Sequence, residues 1–81
     1  MSTLKKLYRK IRSNPNQVRF NELRRLLLRA GFKERRPRNG SSHYTYTKGD
    51  KIITIVKHDN PVKAIYVKLA IKALEGELPD E

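Results

Sequence analysis

The chain has 81 residues, no cysteine, and 19 lysines and arginines against 8 acidic residues, a formal charge of +11. That length supports one small core and a single domain over residues 1–81, and the missing thiols exclude a disulfide scaffold, a thiolate zinc site and a cysteine nucleophile. The charge is one-sided, with 15 basic and three acidic residues in positions 1–51 against four and five in 52–81, which points to a polyanionic partner rather than to solubility alone.

The first predicted element is an amphipathic helix over Thr3–Arg12, with Leu4, Leu7, Tyr8 and Ile11 at helical spacing and Lys5, Lys6, Arg9 and Lys10 between them. Those cations are either a solvated helix face or a surface that tracks RNA. Pro15 ends the helix, since it lacks an amide and disfavours helical geometry at Asn14. A second helix is expected from Glu22 to Ala30, capped by Asn21 and closed by Gly31 in a left-handed conformation, with Phe32 folding back onto its last turn. From Phe32 the period changes to that of strands. Residues 32–38, 41–48 and 51–58 read as a three-stranded antiparallel meander, joined at Asn39-Gly40 and Gly49-Asp50. Pro37 belongs on an edge or just before the turn. The last helix is expected to start at Pro61 behind an Asn60 cap, to carry Val62, Ile65, Tyr66, Leu69, Ala73 and Leu74 on its apolar face, and to end at Gly76 before a frayed acidic tail, 76–81. The order is that of an α+β domain. No apolar run spans a bilayer and no secretory signal opens the chain, so a cytoplasmic location and no membrane partner are expected.

His43 is the residue that invites a chemical reading. It follows the Gly40-Ser41-Ser42 run, and period-two alternation puts it on one strand face with Thr45 and Thr47, while Tyr44 and Tyr46 take the other. A strand histidine beside tyrosines is commonly a packing residue. Its imidazole is also the side chain best able to take and give a proton near neutral pH. Arg35, Arg36 and Arg38 on the preceding strand can hold phosphates near it. Ser41 and Ser42 can present amides and hydroxyls to a phosphate, or serve only the turn. His58, with Lys57 beside it, is a secondary candidate, or a cap at the strand-to-helix junction. Two histidines with only Asp50 and Asp59 as neighbouring carboxylates make a poor metal set, and no cofactor is expected.

The Leu-rich helix ending in Gly31-Phe32, the basic run, "GSSHYTYTK", the apolar "KIITIVKH" and the closing helix, taken in that order, resemble the HicA family of toxin mRNA interferases from bacterial toxin–antitoxin pairs. The resemblance covers residues 20–75 and implies a double-stranded-RNA-binding-like α-β-β-β-α module, with residues 1–15 as an additional N-terminal helix. It implies metal-independent cleavage of mRNA with His43 as the catalytic group, and a HicB-like antitoxin as protein partner. Relatives often have Gly-Ser-His without the second serine, and many carry another residue at the position of Lys57. Against this stand two other expectations, a non-catalytic RNA-binding module of the same fold and a DNA-binding accessory or repressor subunit.

Overall fold

The computed structural model describes residues 3–37, 42–57 and 61–77. Helix α1 (Thr3–Ser13) is followed by a short 3-10 turn at Pro15–Gln17, helix α2 (Phe20–Arg29), strands β1 (Lys33–Arg35), β2 (His43–Lys48) and β3 (Lys51–Val56), and helix α3 (Ala64–Leu74). The sheet is an antiparallel meander in the order β1-β2-β3, as the alternation and turn residues predict. No helix among the described residues is long and apolar enough to cross a membrane.

Apolar side chains from all three helices meet one face of the sheet. Leu4 and Ile11 of α1, Leu23, Leu26 and Leu27 of α2, and Val67, Ala70 and Leu74 of α3 are buried against Tyr46, Ile53 and Ile55. On the other face Thr54 and Ile52 are exposed, and none of the described helices packs there. Gly49 has φ 59, the sign that two-residue hairpin loops require, and it sets the β2–β3 register with Lys48 opposite Lys51 and His43 opposite Val56.

Several boundaries differ from expectation. Helix α2 starts at Phe20, two residues before the expected Glu22, and Arg19 rather than Asn21 is its N-cap. The cause lies in Glu22, whose carboxylate accepts the Arg19 amide at 3.2 Å, the acidic half of a capping box. Strand β1 stops at Arg35, short of residue 38. It is an edge strand, and Pro37 beyond it has no amide to extend the ladder. Pro61 is in a bend and α3 begins three residues later, with Lys63 as its N-cap. Buried Val62 intervenes, its amide donating to the Val18 carbonyl at 2.8 Å, which ties it to the α1–α2 connection instead of to a first helical turn. Asn60, the expected cap, and the Asn39-Gly40 turn lie outside the described residues.

The buried face of α3 also departs from expectation, since Ile65 and Leu69 are 64% and 53% exposed. Nine of its eleven residues are apolar, so period alone does not select a side. Lys68 and Lys72, each three residues after one of these two, mark the solvent side and carry Ile65 and Leu69 with them. Ala70 is central to the opposite face, where its small side chain permits close packing. The acidic tail is engaged at its start, because Glu77 accepts Lys48 at 2.7 Å and Lys51 at 3.0 Å.

The α2 terminus is closed as the sequence predicts. The Gly31 amide donates to the Leu28 carbonyl and the Phe32 amide to that of Leu27, at 3.1 and 3.0 Å, which is the Schellman pattern. Gly31 has φ 100, and a Cβ there would approach Lys48 Nζ at 3.1 Å, displacing the ammonium that donates to the Ala30 carbonyl at 2.6 Å. Gly31→Ala should cost about 1–2 kcal/mol, read as a melting temperature lowered by roughly 4–8 °C per kcal/mol for a domain of this size. An unchanged melting temperature would mean that the left-handed cap is dispensable.

Candidate functional site

The end of the β2–β3 hairpin away from Gly49 gathers three of the predicted residues. His43 is the first residue of β2 and is exposed. Ser42 precedes it, and the Lys57 amide donates to the Ser42 carbonyl at 2.8 Å, carrying the ladder one pair beyond the strands. This bond fixes the backbone on either side of the histidine. His43 faces away from the helices, with Thr45 and Thr47 on the same side.

The arginine run divides across the sheet. Arg35 pairs with Thr45, so its exposed side chain shares the open face with His43, two residues along the neighbouring strand. Diagonal neighbours of this kind have backbones about 7–8 Å apart, within reach of a long side chain. Arg36 lies toward the helix face, where its Nε donates to Glu34 at 3.3 Å. Arg38, Ser41 and His58 lie outside the described residues. Among the described residues no three His, Cys, Asp or Glu side chains cluster as metal ligands.

Behind the histidine, on the helix side, the structure places a cleft that sequence reasoning missed. It is lined by Phe20, Asn21, Arg24, Arg36, Tyr44 and Lys57, with a volume of about 280 Å³. Phe20 and Tyr44 meet edge to face, with centroids 5.0 Å apart. The Lys57 ammonium is 5.6 Å from the Tyr44 centroid and 6.0 Å from that of Phe20, a cation–π placement. A shallow basic depression on α2, lined by Asn21, Arg24, Arg25, Leu28 and Arg29, adjoins the cleft through the shared Asn21 and Arg24.

Glu34 organises the cationic side of this cleft. Its side chain is 9% exposed and accepts Arg24 Nε at 2.6 Å, Arg24 Nη2 at 3.2 Å and the Tyr46 hydroxyl at 2.7 Å. The Arg24 hydrogen bond, reinforced by those of Tyr46 and Arg36, holds its carboxyl below the ordinary carboxylate range despite burial. Burial, and then the Glu34 carboxylate, push the Tyr46 phenol far above its ordinary value, so it stays a donor. The signal in the sequence was Glu34 itself, the one acid among four basic residues from Lys33 to Arg38.

The basic face proposed for α1 is used in part for packing. Lys10 donates to Glu22 of α2 at 2.7 Å, and that hydrogen bond lowers the Glu22 carboxyl.

Comparisons of the chain with protein-family models, with curated proteins and with solved structures found no match.

The lowered Glu34 carboxyl has a consequence for acid stability. A carboxylate whose folded pKa lies below its unfolded value, near 4.3, contributes stability above that value and loses it as the pH falls through the folded pKa. Glu34→Gln should cost about 1–3 kcal/mol at pH 7, and the gap between parent and variant in urea unfolding should narrow below about pH 4. A gap independent of pH would assign the loss to packing rather than charge.

Proposed function

We propose that this protein is a HicA-like toxin, a metal-independent endoribonuclease that cleaves mRNA and is held in check by an acidic, HicB-like antitoxin. The α2-β1-β2-β3-α3 order is read here as a double-stranded-RNA-binding-like module with α1 added. The observation that carries the reading is His43, exposed on the open sheet face of a strongly basic domain with Arg35 beside it on that face.

RNA supplies its own nucleophile. A base that removes the 2′-OH proton lets that oxygen attack the adjacent phosphorus; the P–O2′ bond forms and the P–O5′ bond breaks. The 5′ oxygen leaves with a proton, and the phosphate charge needs a cation close by. His43 is the group for the proton transfers and Arg35 for the charge. Ser42, and with it Ser41 and Arg38, lie in the segment that would position the scissile phosphate. The antitoxin would present carboxylates to the arginines and cover the histidine, because opposite potentials guide encounter and fix register. Lys57 contributes through its position in the helix-side cleft rather than as a second acid or base.

The competing reading is a non-catalytic RNA-binding module. It is favoured by the extent of the basic surface, which continues over the exposed Arg25 and Arg29 of α2, away from His43. A DNA-binding accessory subunit would use the same charge without cleaving RNA. The separating experiment is His43→Ala, assayed on labelled RNA in EDTA. An exposed strand-end residue should change stability by roughly 1 kcal/mol or less, whereas loss of a positioned acid–base group lowers a rate by about 10² to 10⁴. The expected variant folds, binds RNA as the parent does and no longer cuts it. Cleavage at the parental rate would remove His43 from the mechanism; no cleavage by the parent itself would favour the binding module.

A further inference from the structure

We propose that the helix-side cleft is a phosphate subsite for the RNA strand, separate from the His43 face, with Arg36 and Lys57 as its ligands. The inference rests on the RNA reading above and assigns where the strand is gripped rather than where it is cut.

Three cations line the cleft, and one carboxylate, Glu34, is hydrogen-bonded to two of them, Arg24 and Arg36. The cleft therefore keeps an excess of positive charge. Its cations are held differently. Arg24 is fixed by two bonds to Glu34, at 2.6 and 3.2 Å, and acts as wall. Arg36 makes a single longer bond at 3.3 Å with its side chain 73% exposed, so its outer guanidinium nitrogens remain available to a bidentate anion. Lys57 is poised over the Phe20–Tyr44 pair. With an ammonium over both rings, the cleft suits a compact anion better than a neutral apolar ligand.

The source of the anion follows from what adjoins the cleft. The depression lined by Arg25 and Arg29 continues from it through Asn21 and Arg24, so cationic contacts extend beyond one phosphate. A polyanionic strand uses such a path, and an isolated phosphate does not. His43 and Tyr44 are sequence neighbours on opposite faces of β2, so a strand seated here passes around the open end of the hairpin to reach the histidine.

The test is the salt dependence of binding by the full chain to a labelled single-stranded RNA, followed by fluorescence anisotropy. Neutralising a phosphate contributes a log–log slope of about −0.7 on a single strand. The double variant Arg36→Ala/Lys57→Ala should flatten the slope by about 0.7 to 1.4, for one or two phosphates lost. Lys68→Ala/Lys72→Ala, which removes the same charge from the exposed side of α3, should leave it unchanged. Titration with inorganic phosphate should shift the NMR signals of the Tyr44 ring in the parent and not in the Arg36→Ala/Lys57→Ala variant. RNA binding with the same slope in the parent and in both double variants would overturn the subsite while leaving the RNA reading intact. A parent chain that binds no RNA would overturn both, and phosphate-induced shifts in that case would reassign the cleft to a free phosphate group.

Discussion

The carboxylate of Glu34 is where three parts of the domain meet. It sits on the edge strand, accepts the hydroxyl of Tyr46 from the central strand, and receives the guanidinium of Arg24 from α2. Tyr46 is fully buried, and a buried hydroxyl without a partner would cost on the order of 1–3 kcal/mol. Glu34 removes that cost and in doing so fixes the distance between α2 and the sheet. It also permits Arg24, Arg36 and Lys57 to line one small cleft, since an uncompensated set of three cations would repel. Removing the anion would loosen a core contact and scatter the cations together.

The same arrangement recurs at two other junctions. Glu22 joins α1 to α2 through Lys10 while capping α2 through the Arg19 amide. Glu77 joins the chain beyond α3 to both strands of the β2–β3 hairpin through Lys48 and Lys51, and Lys51 also donates to the Ala73 carbonyl at 2.7 Å near the end of α3. In a chain with 8 acids and 19 bases, three carboxylates are thereby committed to structural joints. The positive excess is left to the exposed face of α2 and the open end of the sheet. Exposed ion pairs of this type are individually weak; their effect here is to decide which cations stay available to a partner.

How much of this was legible depended on how local the signal was. The Gly31-Phe32 closure, the Gly49-Asp50 turn and the alternation from His43 to Lys48 are contained in a few consecutive residues, and all read correctly. The start of α2 did not, because Asn21 is the better cap by type, while Glu22 reaches back to an amide three residues earlier. The start of α3 is set by Val62 bonding to Val18, 44 positions away in sequence, which no local rule reports. The division of Arg35 from Arg36 was available from the two-residue period and is lost when a basic run is treated as one unit. The cleft was out of reach for a different reason. It joins residues 20–24, 36, 44 and 57, and only the folded register brings them together.

That register is what gives neighbouring residues different work. On β2, Tyr44 and Tyr46 point toward the helices, and His43 and Thr45 away from them. A slip of one residue would exchange the two sets. It would expose the tyrosines, strand the Tyr46 hydroxyl away from Glu34, and turn the imidazole into an apolar interior. The pairing is held at one end by the Gly49 turn and at the other by the Lys57 amide on the Ser42 carbonyl, with Ile53 and Ile55 filling the core between them. The side that His43 takes is thus a consequence of burying Tyr46: the sheet cannot keep its core without turning the histidine away from the helices.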